Sequence, residues 1–163
     1  MNDQTSEQPS EQPSAQPSEQ LRDVETEEQL RACYPVMREL RPHLESEDEF
    51  VARATRQAGQ GYRVLAAWDG GEVVALAGYR LQENMVYGRF LYVDDLVAAE
   101  KSRSRRWGAH LLAKLTVYAE RAGCARLVLD TGLSNALAQR FYFREGLLPG
   151  AMRFGKLLKE GAA

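Results

Sequence analysis

The sequence predicts a single α/β domain in which a mixed, mostly antiparallel sheet is flanked by helices. Two amphipathic helical stretches come first, and three runs with two-residue periodicity follow them. A long helical stretch at residues 104–122 then leads into the short apolar run Arg126–Asp130, which is typical of a buried parallel strand. The predicted order is therefore ααβββαβαβ.

The first two helices have boundaries that can be read from side-chain chemistry. Thr26 and Gln29 are spaced as a capping box, and apolar residues then recur every three or four positions until Pro42. A second helix is predicted from near Ser46 to the glycines that follow residue 58. Whether a short strand lies within residues 20–25 is left open.

The strands follow in order. The turn Asp69-Gly70-Gly71 separates strands predicted at Tyr62–Trp68 and Glu72–Leu81, and it is typical of a hairpin. The third strand is predicted at Arg89–Ala98. After the buried strand, a helix is predicted from Ser134-Asn135 to about Glu145, and a last strand at Met152–Leu158.

Residues 1–20 differ in composition from the rest of the 163-residue chain. They contain EQPS twice and AQPS once, and they hold three of the six prolines. They also carry four acidic and no basic residues, and their only hydrophobic residues are Met1 and Ala15. Such a segment cannot offset its ordering entropy, so we predict a disordered tail followed by one domain at residues 21–163.

Composition argues against several classes of protein. Beyond the tail, 21 basic residues face 19 of the 23 acidic ones, so the domain is nearly neutral and disfavours a general nucleic-acid binder. No apolar run approaches the ~18 residues of a membrane helix, and the start is unlike a secretory signal. Two cysteines and two histidines suggest neither a disulfide framework nor a metal site. A cytoplasmic protein without a metal is expected.

Four cations lie at the start of the long helix: Lys101, Arg103, Arg105 and Arg106. Cations oppose the positive end of a helix dipole, so stability alone would favour acids at these positions. An anionic ligand explains the cations better, because the free amides of a helix N-terminus bind phosphate. A solvated basic turn and a nucleic-acid contact are the alternatives.

Three segments, in order along the chain, resemble the GNAT superfamily of N-acetyltransferases. Arg103-Ser-Arg-Arg-Trp-Gly108 is similar to the acetyl-CoA signature Q/R-x-x-G-x-G/A, with Arg106 in place of the first glycine. Leu91–Val97 resembles the family's fourth strand, and Asn135–Gly146 resembles its N-x-x-A-x-x-x-Y-x-x-x-G helix. The resemblance covers about residues 22–158. It implies the GNAT fold and an acetyl-CoA-dependent enzyme that acetylates a primary amine, of a small molecule or a protein, by direct attack without an acyl-enzyme.

The resemblance also implies which residues bind acetyl-CoA. Backbone groups of Leu96, Val97 and Ala98 would hold the thioester carbonyl and the pantetheine arm, and Asn135 would hydrogen-bond the same region. The pyrophosphate would be wrapped by Arg103, Ser104, Arg105, Arg106, Trp107, Gly108 and Ala109. The indole of Trp107 would either pack under the loop or lie against the adenine. The acceptor cleft would be lined by roughly Tyr34, Met37, Arg38, Glu83, Met85, Tyr87 and residues near Phe154.

The acetyl acceptor must be a neutral amine, and a carboxylate can take its proton directly or through water. Asp94 and Asp95 are the candidates. Because they are consecutive on a predicted strand, we expect them to face opposite sides of the sheet, with only one near the acceptor. The adjacent-acid pattern resembles polyamine-type acetyltransferases and favours Asp94. The alternative is an ion pair of the carboxylate with Arg80 or Arg89.

The departing thiolate of coenzyme A needs a proton, and a tyrosine hydroxyl can donate one. Tyr142 lies four residues before Gly146, where the resemblance implies a tyrosine beside the sulfur. The alternative is packing beside its aromatic neighbours, Phe141 and Phe143.

Two other functions compete with amine acetylation. The arginine at position 106 keeps open a non-catalytic, acyl-CoA-binding or regulatory GNAT domain, and the basic turn keeps open a nucleic-acid module, which the near-neutral domain disfavours. The expected partner is an amine acceptor, with no nucleic acid and no membrane. A homodimer is left open.

Overall fold

A five-stranded sheet organises the computed structural model, which describes residues 20–159. Its strands, neighbours in chain order, are β1 (Leu21–Asp23), β2 (Arg63–Asp69), β3 (Glu72–Asn84), β4 (Gly88–Ala98) and β5 (Arg126–Leu129). The first four are antiparallel and β5 runs parallel to β4. The predicted mixed sheet is confirmed, and β1 lies in the segment left open. The prediction of a disordered tail falls on residues that, apart from residue 20, lie outside the described part.

The helices are α1 (Glu27–Leu40), α2 (Glu47–Ala58), α3 (Trp107–Arg121) and α4 (Ala136–Arg144), and a 3-10 helix at Glu100–Arg105 precedes α3. Thr26 and Gln29 form the predicted capping box, and Ser46 caps α2. Among residues 20–159, none of the helices is both long and apolar enough to cross a lipid bilayer.

The sheet separates two hydrophobic cores. On one face, Leu65 and Leu91 pack with Leu111 and Leu115 of α3. On the other face, α1 and α2 cover the sheet through residues that include Cys33, Met37, Phe50, Val51, Ala66 and Leu76. The second face also carries the candidate site.

The predicted last strand at Met152–Leu158 is wrong. This segment has no regular secondary structure, although it contains several apolar residues. Phe154 and Leu158 are 86% and 84% exposed, so these side chains are not buried against the sheet. Arg153 instead pairs with Asp130, just beyond the end of β5, at 2.8 Å. A period-two pattern forms a strand only where a sheet edge and a surface to bury are both present.

Candidate active site

A β-bulge in β4 places two carboxylates on the same face of the sheet. Val93 lies opposite Tyr79 of β3 and Asp95 lies opposite Gly78, so Asp94 is the extra residue. Both aspartates line a cavity of about 340 Å³ between the sheet and helices α1 and α2. The expectation that they face opposite sides is therefore wrong, because the bulge interrupts the strict alternation of a regular strand.

Both oxygens of Asp95 are engaged by the protein. Arg41 Nε donates to Oδ1 at 2.8 Å, and the Tyr62 hydroxyl donates to Oδ2 at 2.8 Å. Burial raises the pKa of Tyr62 well above its usual value, and the charge of Asp95 raises it further, so the phenol remains a donor. Asp95 thus anchors the site.

Local sequence explains how this anchor forms. Pro42 disfavours a helical conformation at Arg41, which ends α1 and turns its guanidinium towards β4. The same guanidinium donates through Nη2 to the carbonyl of Asp94 at 3.0 Å and so holds the bulge. On the neighbouring strand β3, Gly78 leaves room for the Tyr62 hydroxyl, which would clash with a Cβ at this position.

Asp94 is only partly engaged. Its Oδ2 accepts a hydrogen bond from Arg80 Nε at 2.9 Å, so the ion pair that the sequence offered as an alternative is present. That bond is the main reason why the pKa of Arg80 is raised. Arg80 is fixed in turn by the side-chain oxygen of Gln57, 2.7 Å from Nη2. Within residues 20–159, Oδ1 of Asp94 has no hydrogen-bond partner, so one carboxylate oxygen stays available.

Strands β4 and β5 part beside the carboxylates. Their ladder ends where Val93 pairs with Leu129, whereas β4 continues to Ala98 in register with β3. In the described part of the chain, the other edge of β4 has no strand partner at Leu96, Val97 and Ala98, which are half-buried. These are the residues predicted to hold the thioester and the pantetheine arm.

The turn into α3 adopts a backbone conformation that glycine favours. Arg106 has φ 58° and ψ 25°, and it is the one non-glycine residue with positive φ among residues 20–159. The substitution of arginine for the motif glycine therefore preserves the shape of the loop. Within residues 20–159, no side chain caps α3, which leaves backbone donors in its first turn for a ligand.

Arg106→Gly is expected to raise the free energy of unfolding by about 0.5–1 kcal/mol, because glycine adopts a left-handed conformation without steric cost. Chemical denaturation measures this change. Arg103→Gly, in the preceding 3-10 helix, is the matched control and should lower stability. A loss of stability in both variants would contradict the strain at Arg106.

Most cations of the turn before α3 already form ion pairs with the protein, which the sequence alone does not show. Three of its cations form exposed ion pairs: Lys101 with Glu72, Arg103 with Glu39, and Arg105 with Asp69. In the part of the chain that the structure describes, no carboxylate lies within 4.0 Å of Arg106. Among the four cations of this turn, Arg106 is therefore the one that can meet a phosphate without first leaving an ion pair within the described residues.

Trp107 lies underneath this turn. Its side chain is 2% exposed and packs in the core against α3 and the sheet, which settles the open choice in favour of packing under the loop. The Nε1 atom is buried and has no partner within the described residues. Only the backbone of Trp107 can serve the predicted pyrophosphate site.

Helix α4 packs on the start of α3. A Cβ at Gly108 would lie 3.1 Å from Cζ of Phe141, so the glycine makes room for this ring. Asn135 caps α4, accepting from the Ala138 amide at 3.1 Å, and its NH₂ group can still donate. Tyr142 is half-buried beside Phe141, and burial raises its pKa. Within residues 20–159 its hydroxyl has no hydrogen-bond partner, and it is not on the wall of the carboxylate cavity.

Gly108→Glu is expected to weaken acetyl-CoA binding by more than about tenfold, because it adds bulk and negative charge at the predicted pyrophosphate site. Calorimetric titration measures the affinity. Gly108→Ala is the matched control, since it adds the contact with Phe141 without the charge. Equal losses in the two variants would mean that Gly108 serves the packing of α4 and not the pyrophosphate.

The carboxylate cavity agrees only in part with the acceptor cleft that the resemblance implies. Met37 lines it as expected, and so does Arg153, one of the residues near Phe154. The walls do not include Tyr34, Arg38, Glu83, Met85 or Tyr87. Sequence reasoning missed other wall residues: Arg41, Arg53, Gln57, Tyr62 and Tyr92. Of these, only Arg41 had a signal in the sequence, the proline that follows it.

Known proteins resemble this chain in sequence and in fold. A family model described as acetyltransferase (GNAT) family matches residues 24–146. The uncharacterized N-acetyltransferase YhdJ of Bacillus subtilis (strain 168) is 28% identical over 122 residues, which are 75% of this chain and 86% of that protein. Aminoalkylphosphonate N-acetyltransferase of Salmonella typhimurium is 32% identical over 89 residues, 54% of this chain and 58% of that one. The solved aminoglycoside N-acetyltransferase AAC(6')-Iy in complex with CoA has a TM-score of 0.73 at 16% identity, covering 86% of this chain and 93% of its own.

The family model spans most of the folded domain, and the chain therefore belongs to the GNAT family of acetyltransferases. It is an N-acetyltransferase, and acetyl-CoA is the co-substrate of its family. The superfamily and the co-substrate predicted from three short motifs are thereby confirmed.

Proposed function

We propose that this enzyme transfers the acetyl group of acetyl-CoA to a primary amine by direct attack, without an acyl-enzyme, and that Asp94 receives the amine. One observation carries the proposal: within residues 20–159, Asp94 keeps a carboxylate oxygen without a hydrogen-bond partner, in a cavity at the point where β4 parts from β5. The relatives named N-acetyltransferases support the nitrogen acceptor, and one of them acts, by its name, on aminoalkylphosphonates.

On the acceptor side, Oδ1 of Asp94 accepts the proton that the amine must lose before or during attack. Arg80 orients the carboxylate through a hydrogen bond to Oδ2. Arg41 holds the bulge through the Asp94 carbonyl and the Asp95 side chain. The proposed base is therefore fixed from two sides before the amine arrives.

On the cofactor side, two features fit acetyl-CoA: the unpaired edge of β4 at residues 96–98 and the uncapped first turn of α3. Acetyl-CoA supplies the activated thioester. The β4 edge would orient its carbonyl and pantetheine amides, and free amides in the turn at residues 103–109 would bind the pyrophosphate. The amide of Ala109 is not among them, because it donates to the carbonyl of Arg106. Asn135 would donate through its free NH₂ group.

Tyr142 completes the proposal as the proton donor to the leaving thiolate. Its raised pKa keeps the phenol protonated at neutral pH, as a general acid requires. Its hydroxyl is not committed to a hydrogen bond within residues 20–159 and can therefore turn to the sulfur.

A thiol-release assay over a panel of amines tests the proposed reaction. We expect thiol release that depends on an amine and yields the N-acetylated product, detected by mass spectrometry. Acetyl-CoA binding without acetylation of any amine would contradict the proposal.

We also propose that the enzyme works in a reducing compartment such as the cytoplasm. Cys33 and Cys124 are both free thiols, and burial raises the pKa of Cys33 to about 12, which makes it unreactive. Fractionation of cells that express the full chain tests this localisation.

A further inference from the structure

The cavity beside Asp94 offers more hydrogen-bond donors than acceptors. Three arginines line it: Arg41, Arg53 and Arg153. Of the four aspartate oxygens in its wall, Asp95 uses both of its own for Arg41 and Tyr62, and Asp94 uses one for Arg80. Within the described residues, one carboxylate oxygen is thus left for a positively charged ligand. A polyamine, with several ammonium groups, would need more.

Arg53 and Arg153 each use only part of their guanidinium N–H groups in ion pairs within the described residues. Arg53 reaches Glu49 through Nη2 at 2.8 Å, and Arg153 reaches Asp130 through Nη2 at 2.8 Å. The side chains in both pairs are at least a third exposed, and such surface pairs are weak enough to rearrange around a ligand. Each guanidinium has further N–H groups in the fork that matches a carboxylate or phosphate.

The two arginines approach the cavity from different elements. Arg53 belongs to α2, whereas Arg153 comes from the irregular C-terminal segment and lies over the Tyr92 ring, 5.8 Å from its centroid. The Tyr92 hydroxyl donates to the same Asp130 oxygen that Arg153 contacts, at 2.5 Å. This links the C-terminal segment to β4, two residues before Asp94.

Building on the proposed amine acetylation, we propose that the acceptor is a small molecule that carries an oxyanion, either carboxylate or phosphonate/phosphate, besides its amine. Asp94 binds the amine, and Arg53 and Arg153 bind the oxyanion. The cavity of about 340 Å³ lies at the lower end of ligand pockets, which fits a compact acceptor. Arg53 and Arg153 are then the residues that determine specificity.

The test compares three ligands of similar size by calorimetric titration with CoA present: 2-aminoethylphosphonate, 3-aminopropanoate and n-propylamine. We expect at least one of the two anionic amines to bind about tenfold more tightly than propylamine or better, because arginine–oxyanion hydrogen bonds are charge-assisted. The anionic amine that binds more tightly shows whether the preferred oxyanion is a phosphonate or a carboxylate. The preference should shrink as salt is raised, since the arginines are partly exposed.

Arg53→Gln and Arg153→Gln should each reduce the preference for the anionic ligand over propylamine, and the double variant should abolish it. The preference is a ratio within one protein sample, so a loss of folded protein does not change it. Arg56→Gln on α2 and Lys156→Gln on the C-terminal segment are matched controls that should keep the preference. Equal affinities in the parent, or an intact preference in the double variant, would overturn the proposal.

Failure of the acetylation chemistry would look different. These binding constants need no turnover, so a clear preference for anionic amines supports the acceptor class even where no thiol is released. Conversely, if propylamine is acetylated as efficiently as the anionic amines, the proposed reaction is supported and the oxyanion subsite is contradicted.

Discussion

Replacing Asp94 with asparagine is expected to slow acetyl transfer at pH 7 by about 10²–10⁴-fold, which is the usual contribution of general base catalysis to a rate. The amide has the shape of the carboxylate but cannot take a proton from the acceptor nitrogen. Oδ1 is the free oxygen of Asp94, so its basicity is what the substitution removes from the cavity. Thiol release at saturating acetyl-CoA measures the loss.

The pH dependence separates a lost base from a disturbed structure. An alkylamine has a pKa near ~10.4, so at pH 7 only a small fraction arrives neutral. In the Asp94→Asn variant the proton must leave to solvent, and turnover should rise about tenfold per pH unit below the pKa of the amine. The deficit relative to the parent should therefore narrow between about pH 7 and pH 9.

Asp95→Asn is the matched control, one residue further along β4. It removes the charge that accepts from Arg41 and Tyr62, and we expect it to lower the free energy of unfolding by about 1–3 kcal/mol. Any loss of turnover should stay constant with pH. Turnover of Asp94→Asn within about threefold of the parent, or a deficit that does not change with pH, would contradict Asp94 as the base.

The parts of the fold that the sequence predicts are those decided by local chemistry. The α1 capping box, the Ser46 cap and the hairpin turn at residues 69–71 each depend on neighbours within about four positions, and all three are present. The strand predicted at residues 152–158 is absent because a strand also needs a partner edge, which is not a local property. The apolar side chains of Met152, Phe154 and Leu158 carry no information about that edge.

In the candidate site, too, local features could be predicted from the sequence and long-range contacts could not. The splayed edge at residues 96–98 and the left-handed turn at Arg106 lie in segments where the GNAT resemblance implies contacts with the cofactor. The bulge at Asp94 depends on a register shift against β3, and its support comes from Tyr62, 33 residues from Asp95, and from Arg41, 54 residues from Asp95. Contacts at such separations leave no periodic trace in one sequence.

Tyr142→Phe is expected to slow turnover by about 10²–10⁴-fold while acetyl-CoA binds nearly as well as to the parent. The substitution removes only the hydroxyl, which makes no hydrogen bond with residues 20–159, so the ring can stay beside Phe141. Turnover is measured by thiol release with the best acceptor, and affinity by calorimetric titration with acetyl-CoA. A large loss of rate with little loss of affinity is the pattern of a group that acts in the transition state.

The raised pKa of Tyr142 determines the pH range in which its hydroxyl can donate a proton. A general acid works while it is protonated, so its help is fully present at neutral pH and is lost only as pH rises through the elevated pKa. The parent should therefore keep the donor well into the alkaline range, whereas the variant lacks it at every pH. The ratio of parent to variant turnover should be constant from about pH 7 to pH 9 and should fall at higher pH.

Tyr118→Phe is the matched control, because its hydroxyl donates to Asp23 and its side chain packs on the face of the sheet opposite the carboxylate cavity. We expect it to leave turnover within about twofold of the parent. If Tyr142→Phe turns over within about threefold of the parent while chemistry limits the rate, Tyr142 is a packing residue. If its acetyl-CoA affinity and melting temperature fall together, its role is to hold α4 against Gly108. Water is then the remaining donor to the thiolate, and the ratio of parent to variant turnover would show no fall at alkaline pH.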